Sequence, residues 1–200
     1  GTQVFGNNIG TDVNGTGSLA NGDNGITFGD FGLGGTATGN FIGGLGAGEP
    51  NIIAYNSKHG VNVGKTSVTG PFTNNTIIGN SIFCNGVNST YFGINLVNGG
   101  NGERSAPTIT SASATTVTGT GTVSGEDVHL YRQTSACGAN PNTQGEEYLG
   151  TVNAAGTSWS IGALTLNPGD VVVATITDGV NGTSPFSAAF TADATPPSFN

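Results

Sequence analysis

Gly25-Ile-Thr-Phe28, Gly60-Val-Asn-Val63 and Gly93-Ile-Asn-Leu96 begin 35 and then 33 residues apart. Each phrase alternates apolar and polar side chains, the period of a short strand with one buried face. A second phrase, Asn40-Phe-Ile42 and Asn75-Thr-Ile77, keeps the 35-residue step, and Asn7-Asn-Ile9 reads as a looser earlier copy. Self-similarity at roughly 20–50 residues marks a stack of repeats, each burying its apolar face against the next. Short strands without a helical period select a parallel β-helix over helical repeats. Ile and Val ladders then fill the interior, Gly and Asn turn the corners, and stacked Asn amides bond along the axis.

The repeat fades near residue 105. The first hundred residues hold 24 Gly and 16 Asn, and the last hundred hold 12 and 7. The change falls at Asn101-Gly-Glu-Arg-Ser-Ala-Pro107, which places one domain at 1–104 and a second at 105–192. The second half offers seven short strands, at Thr108–Ala112, Thr115–Thr120, Asp127–Arg132, Glu147–Val152, Thr157–Gly162, Val171–Thr177 and Ser187–Thr191. Strands at such close, regular spacing indicate a β-sandwich. Trp159 and Ile161 share a face directed to the core, with Val128 and Leu130 opposite. Asn153-Ala-Ala-Gly156 reads as a hairpin turn, and the continuous apolar run Val171–Ala174 as a central strand covered on both sides. Asp193-Ala-Thr-Pro-Pro-Ser-Phe199 is stiffened by its prolines, so 193–200 is expected to link to a further module. The chain is accordingly expected to be a piece of a longer secreted protein.

Four basic residues against twelve acidic ones leave a net charge of −8. Nucleic acid is not an expected partner, because phosphate binding needs clustered Lys and Arg. Membrane insertion is not expected either, since no apolar run approaches the length of a span.

Asn8-Ile-Gly-Thr-Asp12, Gly22-Asp-Asn-Gly-Ile26, Asn51-Ile-Ile-Ala-Tyr-Asn56 and Asn80-Ser-Ile-Phe83 resemble the right-handed β-helix repeats of large bacterial surface proteins. Val128-His-Leu-Tyr131, Tyr148-Leu-Gly-Thr151 and Val172-Val-Ala-Thr-Ile-Thr-Asp178 are similar to immunoglobulin-like modules of bacterial adhesins. The resemblance implies an all-β chain, a right-handed parallel β-helix followed by an immunoglobulin-like β-sandwich. It also implies a non-catalytic structural or adhesive role at the bacterial cell surface, extending a stalk or filament. The implied partners are other modules of the same longer chain, identical subunits in a fibre, or surface glycans. The alternative is a β-helix that binds or degrades polysaccharide.

Cys84 falls in the last β-helix coils and Cys137 in a loop between two sandwich strands. In a secreted protein they either form a disulfide that staples the two domains or remain two separate thiols. Tyr55, Tyr91 and Phe92 are candidates for stacking on sugar rings, against a plainer role as core or corner residues. Lys58 and His59 read as a solvated corner. The first-half carboxylates Asp12, Asp23, Asp30, Glu49 and Glu103 include no local pair of the kind glycoside hydrolysis uses, so no catalytic residue is assigned. Asp12-Val-Asn-Gly-Thr-Gly17 has the oxygen-rich look of a calcium loop but lacks its further acids, and an Asx turn is the simpler reading. No cofactor or metal is otherwise expected. Glu126-Asp127 and Glu146-Glu147 read as charges that blunt solvated strand edges.

Overall fold

The computed structural model describes residues 1–29, 36–65, 70–87, 90–135, 137 and 143–193. Asp30 and the expected linker beyond Asp193 lie outside them. The chain is all-β, with one short 3-10 turn at Asn101–Glu103 among the described residues.

Among the described residues nine short strands come first: β1 Gln3–Val4, β2 Asn8–Ile9, β3 Ile26–Phe28, β4 Phe41–Gly43, β5 Ile52–Ala54, β6 Val61–Val63, β7 Thr76–Ile78, β8 Ser81–Phe83 and β9 Ile94–Leu96. They form three parallel sheets, ordered β1-β4-β7, β2-β5-β8 and β3-β6-β9, so each pass of the chain visits the sheets in the same order. The repeated phrase lies in register, with Ile26 beside Val61 and Val61 beside Ile94. The Asn40 and Asn75 phrases open β4 and β7. Asn7-Asn-Ile9 belongs to a different column, for Ile9 pairs with Ile53 and Ile53 with Ile82. The earlier copy beside β4 is Gln3–Val4. A loop closed by the Thr11–Ser18 bridge lengthens the first pass between β2 and β3 and hides the true spacing.

Apolar side chains of the three sheets meet inside. Ile42, Ile53, Val61, Val63, Ile77, Ile82 and Ile94 form one buried cluster. At the corners the polar groups are stacked instead. Asn40 Nδ2 donates to Asn75 Oδ1 (2.7 Å) and Asn75 Nδ2 to Asn101 Oδ1 (3.2 Å). A second column runs Asn7, Asn51, Asn80, and a third runs Asn21, Asn56, Asn85, all through amide contacts of 2.8–3.1 Å. An amide both donates and accepts, so it satisfies neighbours above and below where no water reaches. Gly43 (φ 74°) turns one corner, and a Cβ there would lie 2.2 Å from Asn80 Oδ1.

The second half contains β10 Thr108–Ala112, β11 Val117–Thr120, β12 Asp127–Gln133, β13 Glu147–Asn153, β14 Ser158–Ile161, β15 Val171–Asp178, β16 Gly182–Thr183 and β17 Phe190–Thr191. One sheet is ordered β10-β11-β14; the other is β13-β12-β15-β16, with β17 also on β15. All pairings are antiparallel. Trp159, Ile161, Val128, Leu130, Val172 and Ala174 share the core between the sheets. Asn153-Ala-Ala-Gly156 is not a hairpin, because β13 and β14 belong to opposite sheets and the segment crosses between them. The expected last strand is shorter, and β16 was not anticipated.

The outer face of the β12–β15 pair closes the stack of passes. Tyr131, Val173 and Phe186 join the interior cluster of the first half. Backbone pairing continues too: Ile82 N–H donates to Gly145 O (2.8 Å), Thr183 N–H to Asn75 O (3.0 Å) and Asn74 N–H to Asn181 O (2.7 Å). Gly182 (φ 100°) permits this approach, since a Cβ there would lie 2.5 Å from Asn75 O. Two of the asparagine columns end on second-half atoms. Asn85 Nδ2 donates to Gln144 Oε1 (3.0 Å), and Gln144 Nε2 returns a bond to Asn85 O (2.9 Å). Asn101 Nδ2 donates to Thr183 O (2.8 Å), and the Tyr131 hydroxyl accepts from Gly79 N–H (3.0 Å).

His129 lies on this buried face, paired across the sheet with Thr175. Burial lowers its pKa to about 4, with Asp127 opposing the shift and Tyr148 as its ring neighbour. The unfolded chain therefore takes up a proton on His129 below about 6.5 that the folded chain refuses until about 4. Stability is expected to fall by up to about 3 kcal/mol as pH drops through that window. His129→Gln should flatten the change in urea midpoint between pH 7 and pH 4.5. Asn75→Ala removes a fully buried member of a column and strands the Asn40 amide. It should cost about 3 kcal/mol in urea unfolding, whereas Asn95→Ala at the half-exposed outer surface should cost under about 1 kcal/mol.

Candidate functional site

The alternation that buries Val61 and Ile94, and packs Ile26 partly buried beside them, turns the middle residues of β3, β6 and β9 outward. Thr27, Asn62 and Asn95 form the floor of a groove of about 420 Å³. Asn95 Nδ2 donates to Asn62 Oδ1 (2.7 Å), and Asn62 Nδ2 to Gly64 O (2.9 Å). Extending the repeat upstream aligns Asp23 with Lys58 and Tyr91, and Asn24 with His59 and Phe92; Asp23, Asn24, Lys58, His59 and Tyr91 give the groove one wall. Lys65 stands on the other side of the floor.

Lys58 Nζ and Asp23 Oδ2 form an ion pair at 3.0 Å, both side chains well exposed to solvent. The ammonium holds the Asp23 carboxyl below its usual range. His59 is half-buried and has partners on two sides, which corrects its reading as a solvated corner. Its backbone N–H donates to Asn24 Oδ1 (3.0 Å), and its Nδ1 accepts from Phe92 N–H (2.9 Å). Accepting at Nδ1 leaves Nε2 to carry the proton of the neutral ring. The ring meets Tyr91 edge to face at 4.9 Å and lies parallel to Phe92 at 5.9 Å. Burial pushes its pKa down.

Two of the three candidate sugar-stacking residues thus come together, Tyr91 and Phe92, with His59 between them. Tyr55 does not join them. It turns the corner after β5 with φ 61°, packs edge to face on Phe83 at 5.5 Å and donates to Thr16 O (3.1 Å). The groove was legible in the 35- and 33-residue steps, had these been carried two residues upstream of each phrase.

Cys84 and Cys137 are joined by a disulfide, their Cα atoms 5.1 Å apart. It ties the last pass to the loop between β12 and β13. Asp12 Oδ1 accepts from Asn14 N–H (3.1 Å) and Thr16 N–H (3.0 Å), the bonds of an Asx turn. The loop's own amides, Gly17 foremost, keep the Asp12 carboxyl below its usual range. Glu49 accepts from Gly46 N–H and Glu103 from Gly99 N–H, each within its own turn. Among the described residues no three His, Cys, Asp or Glu side chains gather into a metal site. No described helix is long and apolar enough to cross a membrane.

Glu126 is not a solvated edge charge. It is buried and paired with Arg104, whose guanidinium also binds Asp178. Arg132 likewise holds Glu147 (2.7 Å) and Asp170 (2.8 Å). Glu146 accepts from the Thr134 and Ser135 N–H groups. Acidic pairs in sequence gave no hint of these partners, because both arginines lie far away along the chain.

No protein-family profile and no curated sequence matches the chain. Among solved structures it is similar to the BSP domain of a biofilm-associated protein, at 29% identity over 46% of this chain, with a TM-score of 0.35. The chain spans 15% of that protein's chain. It is also similar to the third fibronectin III domain of a human protein, at 15% identity, covering 50% of this chain and 93% of that domain, with a TM-score of 0.28. At these scores the description of the fold rests on the strand pairing itself.

The disulfide closes a 53-residue separation, for which chain entropy alone corresponds to roughly 4 kcal/mol. A Cys84→Ser, Cys137→Ser double variant is expected to unfold at a clearly lower urea concentration. Reduction of the native chain should produce the same drop, and reduction should not move the variant further.

Proposed function

We propose that the chain is a non-catalytic structural module of a large secreted bacterial surface protein. In this reading residues 1–104 are the end of a right-handed parallel β-helix, and residues 105–192 are an immunoglobulin-like sandwich that closes it. Such a unit extends an extracellular stalk or filament and passes the chain to further modules. The observation that carries the proposal is the continuation of the stacked sheets into the second half. Ile82 bonds to Gly145, Thr183 to Asn75, and Gln144 takes the place of a next asparagine. A solenoid that stops without a cap leaves unpaired amides and apolar side chains at its end. Here the cap is itself a folded module, which makes a stiff joint suited to bearing load away from a cell.

The gathered groups also support a role without chemistry. The first-half carboxylates Asp12, Asp23, Glu49 and Glu103 bind separate partners rather than facing one another across a cleft. Immunogold electron microscopy of intact producing cells, with antibody raised to this chain, tests the proposal. Gold arrayed on the cell surface or along fibres is the expected result. Gold absent from cells, with the protein free in the medium, would overturn it.

A further inference from the structure

Asparagine followed by glycine is the dipeptide most prone to lose its side-chain amide, because no side chain on the glycine shields the backbone nitrogen that attacks it. Seven such pairs occur in the sequence, and their placement in the asparagine columns is selective. The buried members Asn40, Asn51, Asn56, Asn75 and Asn80 are followed by Phe, Ile, Ser, Thr and Ser, whose side chains crowd the nitrogen. Asn85 and Asn101, which hand over to the second half, are followed by Gly86 and Gly102. The backbone at these glycines has φ 61° and 64°, a conformation glycine adopts without strain. The turn away from each column end thus calls for the reactive pair.

The fold blocks the reaction at both positions. Asn85 and Asn101 are wholly buried. Gly86 N–H donates to Asn56 O (2.8 Å) and Gly102 N–H to Gly99 O (3.1 Å), so each attacking nitrogen is already engaged. Asn85 Nδ2 shares its hydrogens among Gln144 Oε1 (3.0 Å), Ile53 O (2.8 Å) and Phe83 O (3.1 Å). Asn101 Nδ2 donates to Asn75 O and Thr183 O, both at 2.8 Å. Asn21 is the contrast. It is the far end of the column that Asn85 closes, it is exposed, and it precedes Gly22, beside which a side chain would meet open space. One column therefore carries the same dipeptide at both ends, one in solvent and one under the joint.

We propose that Asn85 and Asn101 are deamidation sites kept closed by the joint, and that their modification, once the joint has opened, prevents it from closing again. The Gly86 nitrogen gives its proton to solvent and forms a bond to Asn85 Cγ. The bond from Cγ to Nδ2 breaks, and the nitrogen takes up a proton and leaves as ammonia. Water then opens the cyclic imide at either carbonyl, giving aspartate or isoaspartate. Asn101 and Gly102 react in the same way. The product has lost its donor and places a negative charge against carbonyl oxygens in a buried site, which folding opposes strongly. Rotation of Gln144 turns its own amide toward the new carboxylate but leaves Ile53 O and Phe83 O facing it. The joint thus keeps a covalent record of having opened, whatever the chain extends or binds.

The test incubates the unaltered chain in mildly alkaline buffer, once folded and once unfolded in urea, and follows Asn21, Asn85 and Asn101 by mass spectrometry of their peptides. In urea the three are expected to convert at similar rates. In the folded chain Asn85 and Asn101 should convert at least tenfold more slowly than in urea, because they react only through rarely populated openings, while Asn21 slows far less. Conversion of Asn85 and Asn101 at their urea rates, or an equal slowing of Asn21, would overturn the proposal. Asn85→Asp and Asn101→Asp read the consequence. Each should lower the urea midpoint or abolish folding, and Asn21→Asp should move the midpoint far less. Midpoints unchanged in both joint variants would contradict the claim that modification keeps the joint open. The conversion rates come from the unaltered chain, so they decide the first claim even where a variant does not fold.

Discussion

The buried asparagine columns are the constraint on which the rest of the structure depends. Each amide in the interior of a column accepts from the member before it and donates to the member after it. Asn56 sits between Asn21 and Asn85 in this way, wholly out of solvent. The arrangement settles every polar group along the axis except at the ends, where the next amide is missing. A buried donor without an acceptor costs about 1–3 kcal/mol, comparable to a large share of a domain's stability. The last pass therefore cannot simply stop. It needs a surface that supplies amide, carbonyl and hydroxyl groups at the strand spacing.

The second half meets that need with groups from several segments. Gln144 is one methylene longer than Asn and reaches from the sandwich to Asn85 with both its oxygen and its nitrogen. Thr183 offers its carbonyl to Asn101 and its hydroxyl to Ile77 N–H. Tyr131 and Val173 meanwhile face the interior of the passes, while Leu130 and Val172 on the same strands face the sandwich core. One sheet thus belongs to two cores, so the hydrophobic interior does not divide at residue 105. Arg104 with its two carboxylates and the Cys84–Cys137 bond add further ties across the same joint. His129 is the group this joint tolerates at a cost, since burial holds it neutral with both ring nitrogens lacking protein partners.

Local pattern made part of this readable. Alternation of side chains and a regular 33–35-residue step located β3, β6 and β9 and their pairing, because strand period and stacking register both leave traces along the chain. The Asn7 phrase was assigned to the wrong column because the Thr11–Ser18 loop stretches the first pass. Gln144 gave no signal at all, since it stands outside the repeat and acts as an asparagine only once folded beside Asn85. The same holds for β16, two residues whose strand identity comes from Asn75 and Thr177 rather than from their own alternation. At the groove's edge, Tyr91 and the adjoining Phe92 stood out as aromatic, but their neighbour His59 looked like a loop residue. Only the column Asn24, His59, Phe92 reveals its place, and that requires the register to be known first.

A stack of parallel passes closed by a second sheet needs the two to behave as one body. Native-state hydrogen exchange across rising urea concentrations measures this directly. The amides to follow are Asn85, Ile82 and Ile77, whose acceptors belong to the second half, together with Val61 inside the passes and Leu130 inside the sandwich. If the sandwich completes the stack, all five open with one free energy and one urea dependence. Junction amides that exchange through a separate, lower-energy opening, with Val61 and Leu130 still protected, would show that the halves merely touch and would contradict this account.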